Sequence, residues 1–252
     1  MFKSMHRAEE PLVICNVWDV PSAKIAEEVG FLAIGTSSAA IASNLGKDDG
    51  ENIKFNDLLS IVKAIAGSTN LPLTVDIESG FGDTPELIAK NIIELVKVGV
   101  VGINIEDSIV VKGHRQLCDV ALFEKTLKQV RLLLAEADTE VFINVRSDAF
   151  LLNVSEPLVE SIERINRYQQ SGADGIFLPC IRDVNDIETV VASTSLPINV
   201  MCVPELPSFQ ELKTLGVKRI SMGNFVYEAM LASLSSSLIS IKRERSFQTL
   251  FL

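Results

Sequence analysis

The 252-residue sequence is poor in the residues that form common metal and cofactor signatures. No pair among its four cysteines has the Cys-x-x-Cys or zinc-ligand spacing, so we expect reduced thiols and no disulfide framework. No Gly-x-Gly-x-x-Gly follows the first predicted strand, which argues against a dinucleotide-binding sheet. The cysteines are Cys15, Cys118, Cys180 and Cys202.

Two further absences limit the functional classes. The formal net charge is −10, so the chain lacks the basic excess on which general nucleic-acid binding depends. No apolar run approaches the roughly 18 residues of a membrane-spanning helix. The first eleven residues lack the apolar centre of a signal peptide. We therefore expect a cytoplasmic protein that binds neither nucleic acid nor membrane.

A strand-like apolar run followed by a helical stretch recurs eight times along the chain. This alternation, without antiparallel signals, predicts a parallel sheet. Eight such units in 252 residues favour one closed (β/α)₈ TIM barrel spanning residues 1–252, with a doubly wound open sheet as the alternative. A loop of small residues is predicted after the second strand. The predicted strands are Leu12–Asn16, Phe31–Gly35, Leu73–Ile77, Gly102–Ile105, Val141–Val145, Gly175–Leu178, Ile198–Cys202 and Arg219–Met222.

Three carboxylates stand at the ends of apolar runs. Asp76 and Glu78 end the run around the third strand, and Glu106 ends the fourth. Burying a charge there is costly unless a cation or hydrogen bonds meet it. In a β/α barrel these strand ends form the active-site face, where Arg146 follows the fifth strand. A divalent metal bound partly through water, as Mg²⁺ prefers, is the simplest explanation for the acids, with Arg146 as an anion-binding group opposite.

Five motifs resemble the isocitrate lyase/phosphoenolpyruvate mutase superfamily. The resemblance implies a (β/α)₈ barrel, Mg²⁺ or Mn²⁺, and an α-oxo-acid substrate or product handled as an enolate. It also implies a homodimer or homotetramer, often with a swapped C-terminal helix. The motifs are Gly35-Thr-Ser-Ser38, Thr74-Val-Asp-Ile-Glu-Ser-Gly-Phe-Gly82, Gly102-Ile-Asn-Ile-Glu-Asp-Ser108, Asn144-Val-Arg-Ser-Asp-Ala149 and Gly172-Ala-Asp-Gly-Ile-Phe-Leu-Pro179.

The same resemblance implies roles for individual residues. By this resemblance, Asp76 has the position of the superfamily's main metal ligand. Glu78, Glu106 and Asp49 have the positions of groups that act on the metal through water. Arg146 is similar to the anion-binding arginine. The implied backbone cradle for a substrate carboxylate is Ser37, Ser38 and Ala39, and the implied mobile catalytic loop carries Lys112 and His114.

Simpler interpretations of these residues stay open. Asp49 lies in a polar run and is explained almost as well by a solvated loop. Arg146 could form a structural ion pair with Asp148 or Glu106. The segment 112–115 could be an exposed loop without a catalytic role.

The sequence departs from the lyases of this superfamily in the gating loop. Those lyases carry Lys-Arg-Cys-Gly-His-Arg or Lys-Lys-Cys-Gly-His six residues after the glutamate. Here Lys112 has that spacing from Glu106, but Gly113-His-Arg115 follows directly, so the catalytic cysteine is absent. Cys118 is a poor substitute, because it belongs to the segment leading into the next helix. Isocitrate lyase and methylisocitrate lyase activities are therefore disfavoured.

The prediction that remains is a metal-dependent carbon–carbon lyase acting on a small oxo- or hydroxy-carboxylic acid through an enolate. Alternatives are an oxo-acid decarboxylase, a P–C bond mutase or hydrolase, and a non-catalytic metabolite-binding barrel. No lysine ends a core strand, which disfavours a Schiff-base aldolase. The tail, about residues 236–252, has an apolar end that we expect to pack on a partner subunit or on its own barrel.

Overall fold

The computed structural model describes residues 2–251 and consists of a closed barrel of eight parallel strands. The order around the barrel is β1-β2-β3-β4-β7-β8-β9-β10, and β10 pairs with β1. The predicted (β/α)₈ barrel is therefore confirmed. The barrel strands are β1 Leu12–Val17, β2 Ile34–Thr36, β3 Leu73–Asp76, β4 Val100–Glu106, β7 Phe142–Arg146, β8 Gly175–Leu178, β9 Ile198–Met201 and β10 Arg219–Ser221.

The strands are nearly continuous apolar runs because both faces of a parallel barrel sheet are covered. Ile103 of β4 lies beside Ile143 of β7 in register, and both are fully buried. Helices cover the outer face of the sheet and complete the main core. They are α1 Phe2–Met5, α2 Val20–Val29, α3 Ser38–Asn44, α4 Phe55–Ala66, α5 Pro85–Lys97, α6 Val120–Glu136, α7 Pro157–Gln169, α8 Val184–Ala192, α9 Phe209–Thr214 and α10 Phe225–Glu244, followed by a 3₁₀ turn at Gln248–Leu250.

Side-chain caps fix where several helices begin. Thr84 accepts a hydrogen bond from the Leu87 N–H at the start of α5, directly before Pro85. Ser208 and Glu211 form a capping box at the start of α9. A cap of this kind contributes about 1 kcal/mol to helix stability. No helix between Phe2 and Phe251 is long and apolar enough to cross a membrane.

The sequence pattern contained no sign of an antiparallel hairpin that lies outside the parallel barrel sheet. Strands β5 Ser108–Val111 and β6 His114–Leu117 form an antiparallel hairpin between β4 and α6. Its turn residues Lys112 and Gly113 both have positive φ, 52° and 80°, as the favoured two-residue hairpin turns require. Four-residue strands joined by Lys-Gly lack the Asn-Gly or Asp-Gly signal, so the sequence pattern resembled a loop.

The loop predicted after the second strand is also partly wrong, because it contains α3. Ser37 caps this helix by accepting a hydrogen bond from the Ala40 N–H at 3.3 Å. Three alanines in a seven-residue helix favour helix formation. The small residues that suggested a loop are therefore the residues that allow a short, buried helix against β2.

Amides and one arginine form a polar layer inside the barrel. Asn144 Nδ2 donates to Asn104 Oδ1 at 2.9 Å and to Asn199 Oδ1 at 3.1 Å. Arg219 Nη2 also donates to Asn104 Oδ1, at 3.3 Å. At the amino ends of the strands, the His6 ring stacks on Phe142 with 4.2 Å between ring centroids. The segment of α1 and His6 thus closes the end of the barrel opposite the candidate site.

Candidate active site

Strand register brings the main candidate residues together at the carboxyl ends of three neighbouring strands. Asp76 is the last residue of β3, and its neighbour in register on β4 is Asn104. Glu106 ends β4 and is paired in register with Arg146, the last residue of β7. The carboxyl-end face predicted from the sequence therefore contains these acids and the arginine.

Asp76 is held by neighbours from two adjacent segments. Its Oδ2 accepts a hydrogen bond from Ser38 Oγ at 3.2 Å, and its Oδ1 accepts one from the Glu78 N–H at 3.1 Å. Burial raises the pKa of the Asp76 carboxyl, and the nearby Asp49 charge raises it further, while Arg146 opposes the shift. An oriented carboxylate in surroundings that disfavour its charge suits cation binding.

Glu78, two residues after Asp76, has a left-handed backbone conformation with φ 49°, and its side chain is buried. Its Oε2 accepts a hydrogen bond from the Glu51 N–H at 2.6 Å. Burial raises the pKa of Glu78 to about 8, with further increases from the charges of Asp49, Asp76 and Glu106. These four carboxylates are therefore close enough to repel one another.

Glu106 lies between two guanidinium groups and is 3% exposed. Its Oε1 pairs with Arg115 Nη1, and its Oε2 lies 3.0 Å from Arg146 Nη1. Burial raises the pKa of Glu106 to about 7, against the opposing charges of Arg146 and Arg115 and with a further increase from Asp148. The two arginines offset part of the acid cluster's charge.

Arg146 forms the ion pairs that the sequence left as an alternative. Its Nε donates to Asp148 Oδ1 at 2.6 Å and its Nη2 to Asp148 Oδ2 at 3.2 Å. Burial alone would lower the pKa of Arg146, but Glu106, Asp148 and Asp76 raise it above its usual value. Its guanidinium plane is fixed beside Asp76 and Glu106, in a place where a substrate anion could also reach it.

The Asp49 side chain belongs to the same cluster and is not simply solvated. Its Oδ2 lies 3.0 Å from Arg115 Nη2. The adjacent Glu51 carboxylate accepts hydrogen bonds from Ser79 Oγ and the Phe81 N–H, each at 2.7 Å. The segment 47–54 is therefore tied to the turn that follows β3.

The predicted carboxylate cradle lies at the start of α3. Ser37 precedes the helix as its cap, and Ser38 and Ala39 are its first two residues. The first N–H groups of a helix have no partner within it. The N–H groups of Ser38 and Ala39 therefore lie beside the Ser38 hydroxyl that contacts Asp76. The Ser37 N–H does not belong to this cradle, because it donates to the Val17 carbonyl oxygen at 3.0 Å.

Lys112 and His114 are not brought into the cluster. Both are exposed at the tip of the hairpin, and within residues 2–251 their side chains make no hydrogen bond or ion pair. Arg115, which sequence reasoning did not select, contacts the acids instead. Strand alternation could have identified it, because Ser108, Val110, Arg115 and Leu117 share one face of the hairpin.

Asp107 is fully buried next to the candidate site and holds neighbouring segments in place. Its Oδ2 accepts hydrogen bonds from Tyr168 OH at 2.8 Å and Arg164 Nη1 at 3.0 Å. Its Oδ1 accepts one from the Asp148 N–H at 3.0 Å. Asp107 thereby ties the end of β4 to α7 and to the segment that carries Asp148.

Cys118 is unsuited to replace the missing lyase cysteine. It lies just before α6 and lines a cavity of about 410 Å³ next to Glu78 and Glu106. Burial raises the pKa of its thiol to about 11, and the nearby Asp107 charge adds to the shift. The thiolate is the nucleophilic form of cysteine, so the Cys118 thiol is protonated at neutral pH.

The donor set fits a hard divalent cation. Carboxylates of Asp49, Asp76, Glu78, Glu106 and Asp148 outnumber the guanidiniums of Arg115 and Arg146. Asp49 Oδ1 is buried without a hydrogen-bond partner, whereas Glu106 Oε2 faces the Arg146 guanidinium at 3.0 Å. Within the described chain, no three His, Cys, Asp or Glu side chains converge as a ready-made metal cluster. An ion here would take Asp76 directly and other carboxylates through water, as Mg²⁺ commonly is bound.

Comparison with known proteins places the chain among enzymes of this architecture. An uncharacterised protein of Mycobacterium tuberculosis is 34% identical over 91% of this chain and 84% of its own length. An oxaloacetate decarboxylase of Ectopseudomonas mendocina is 27% identical over 98% of this chain and 84% of its own. The crystal structure of a putative phosphonomutase from Burkholderia cenocepacia J2315 is 36% identical, with a TM-score of 0.87 over 93% of this chain and 96% of that one.

The family model described as phosphoenolpyruvate phosphomutase matches residues 2–242. This match spans nearly the whole barrel, including every motif on which the resemblance was based. The chain therefore belongs to the phosphoenolpyruvate phosphomutase family, and its predicted membership of the isocitrate lyase/phosphoenolpyruvate mutase superfamily is confirmed.

Proposed function

We propose that this protein is a divalent-metal-dependent lyase that cleaves a carbon–carbon bond in a small oxo- or hydroxy-carboxylic acid. The observation that carries the proposal is the position of Asp76, whose carboxylate lies next to Ser38 at the strand ends. The Arg146 guanidinium is close enough to influence the Asp76 pKa. A metal ligand, backbone donors and an anion-binding group thus meet at one place. This is the set that binds an oxo-acid and stabilises its enolate.

Asp76 would hold Mg²⁺ or Mn²⁺ directly, and Glu78, Glu106 and Asp49 would act through water. When bound, the ion supplies Lewis-acid stabilisation for negative charge that develops on the substrate oxygen. The raised pKa of Glu78 supports this assignment, since four mutually repelling carboxylates are stabilised by an added cation.

Protein groups would orient the substrate. The backbone N–H groups of Ser38 and Ala39 would donate to its carboxylate, and Arg146 would pair with the carboxylate's charge. Asp148 fixes the guanidinium plane of Arg146 through two hydrogen bonds. Lys112 and His114 would supply charge or a proton only after the hairpin folds inward, because their side chains face solvent.

Oxo-acid decarboxylation is the second candidate function. It requires the same enolate stabilisation but no catalytic cysteine, and the Cys118 thiol is protonated at neutral pH because burial raises its pKa to about 11. The similarity to an oxaloacetate decarboxylase over 98% of the chain also favours it. A P–C bond reaction has support from the similarity to a putative phosphonomutase.

A panel of C4–C7 oxo- and hydroxy-acids tests the proposal, with product oxo-acid and CO₂ measured in the presence of Mg²⁺ or EDTA. We expect metal-dependent turnover that Asp76→Ala abolishes and Asp48→Ala preserves, because the adjacent Asp48 is exposed. Release of CO₂ would distinguish decarboxylation from lyase cleavage. Undiminished turnover by Asp76→Ala would contradict the metal role.

A homodimer or homotetramer is proposed on separate grounds. The 20-residue α10 buries only Tyr227 within the described chain. A single copy leaves an apolar surface along this helix that a second copy of the chain would cover. Its exposed apolar residues are Phe225, Val226, Met230, Leu231, Leu234, Leu238 and Ile239. Leu252, the end of the predicted tail, lies outside the described residues.

A further inference from the structure

Arg115, on the inner face of the hairpin, is a permanently charged cation within the acid cluster. Arg115 Nη1 pairs with Glu106 and lies 2.9 Å from Ser108 Oγ and 3.3 Å from Asp148 Oδ2. Its Nη2 lies 3.0 Å from Asp49 Oδ2. Its guanidinium is thus largely committed to protein groups.

Arg115 also joins the two segments that lie over the acids. Val110, its partner across the hairpin, packs so closely on Gly50 that a Cβ at Gly50 would lie 2.7 Å from Val110 Cγ2. Gly50 has φ 109°, a conformation that few other residues adopt. The hairpin and the segment 47–54 are therefore in contact through Val110 and Gly50 and through the ion pair Arg115–Asp49.

The groups that Arg115 occupies are groups that a divalent ion would need. Glu106 and Asp49 are two of the three carboxylates proposed to reach the metal through water. Arg115 uses one oxygen of each. The other oxygen of Glu106 faces Arg146 Nη1 at 3.0 Å, and the other oxygen of Asp49 has no hydrogen bond. A guanidinium and a divalent cation repel each other and are attracted to the same carboxylates. The two cations therefore compete.

We propose that Arg115 is a positioning residue that serves as the resident counter-cation of the acid cluster and sets its affinity for the divalent ion. Metal binding weakens the contacts of Arg115 with Glu106 and Asp49 and loosens the hairpin from the segment 47–54. By thermodynamic linkage, the factor by which the bound metal weakens the Arg115 contacts is also the factor by which those contacts weaken metal binding. The inference rests on the proposed function, because it takes Asp76 as the metal ligand.

Calorimetric titration of Mg²⁺ and Mn²⁺ without substrate measures the competition directly. We expect Arg115→Gln to bind metal about tenfold more tightly than the wild type. Arg115→Lys, which keeps the charge, should remain close to wild type. Gln116→Ala is the matched control, because Gln116 is exposed on the opposite hairpin face.

Hydrogen exchange of residues 108–117 in the wild type gives a second readout that does not depend on a variant. We expect metal to accelerate exchange in the hairpin. Equal or weaker metal binding by Arg115→Gln, or slower hairpin exchange with metal, would overturn the inference while leaving the metal site intact. Metal binding that persists in Asp76→Ala would instead refute the proposed function, and this inference with it.

Discussion

At the residue scale, His6 shows how burial determines a protonation state. Its side chain is 4% exposed, and its Nδ1 lies 3.2 Å from the Phe2 carbonyl oxygen. Burial lowers the pKa of His6 to about 4, and the Arg219 charge lowers it further, against smaller opposing effects of the Phe2 carbonyl and Asp174. The imidazole is therefore neutral in the folded protein at neutral pH.

This shift predicts a pH-dependent stability. The unfolded chain binds a proton at His6 near pH 6.5 and the folded chain only near pH 4. Stability is therefore lost as pH falls from about 6.5 towards 4. His6→Phe keeps a ring against Phe142 and removes the proton site. Urea denaturation at pH 7 and at pH 5 measures how much unfolding free energy each protein loses on acidification. We expect the loss for the His6→Phe variant to be roughly 1–2 kcal/mol smaller than the loss for the wild type.

His114→Gln is the control for this experiment, because the exposed His114 side chain makes no hydrogen bond or ion pair within the described chain. Its stability should follow the same pH dependence as the wild type. An identical pH dependence for His6→Phe and the wild type would contradict the account of His6.

At the element scale, Asp107 connects β4, α7 and the segment after β7. Asp107→Ala would leave Arg164, which is 4% exposed, without its buried acid. Removing one partner of a buried pair costs about 3–5 kcal/mol. Urea denaturation should show a loss of this size, and a loss below about 1 kcal/mol would contradict the structural role of Asp107.

Glu160→Ala provides the matched control for Asp107→Ala. Glu160 pairs with Arg164 Nε at 2.6 Å, but its side chain is 35% exposed. A pair that is open to solvent contributes little, so we expect a change below about 1 kcal/mol.

The sequence predicted the elements that carry Asp76, Glu106 and Arg146 but not the hairpin that carries Arg115. The three strands are apolar runs whose ends are marked by charge, and parallel register then places those ends together. The hairpin consists of two four-residue strands with a turn of ordinary sequence. Strand alternation places Arg115 on one face of the hairpin, but only once the hairpin itself is known. The contacts of that face with Glu106 and Asp49 are tertiary.

At the scale of the whole molecule, the barrel was predictable because eight repeated strand–helix units admit few arrangements. The role of helix α10 was less predictable, since an apolar tail packs equally well on its own barrel or on a partner. The structure leaves Leu234 and Leu238 53% and 57% exposed, one helical turn apart. This arrangement supports self-association through α10.

The combined Leu234→Glu and Leu238→Glu substitution should therefore dissociate the proposed oligomer. Four repelling carboxylates at a two-fold interface oppose its burial. Light scattering after size exclusion should give the monomer mass of 27.5 kDa for this variant. Ser236→Glu, which places a charge at another exposed position of α10, should keep the wild-type mass. A monomeric wild-type protein would contradict the prediction.

The central claim is that Asp76 and its neighbours form a metal-dependent site for an enolate. Oxalate has the charge and geometry of such an enolate, so its calorimetric titration with and without Mg²⁺ tests the claim most directly. We expect binding by the wild type only with Mg²⁺ and no binding by Asp76→Ala. If the wild type fails to bind oxalate in the presence of Mg²⁺, the carboxylates are structural and the proposed lyase site is wrong.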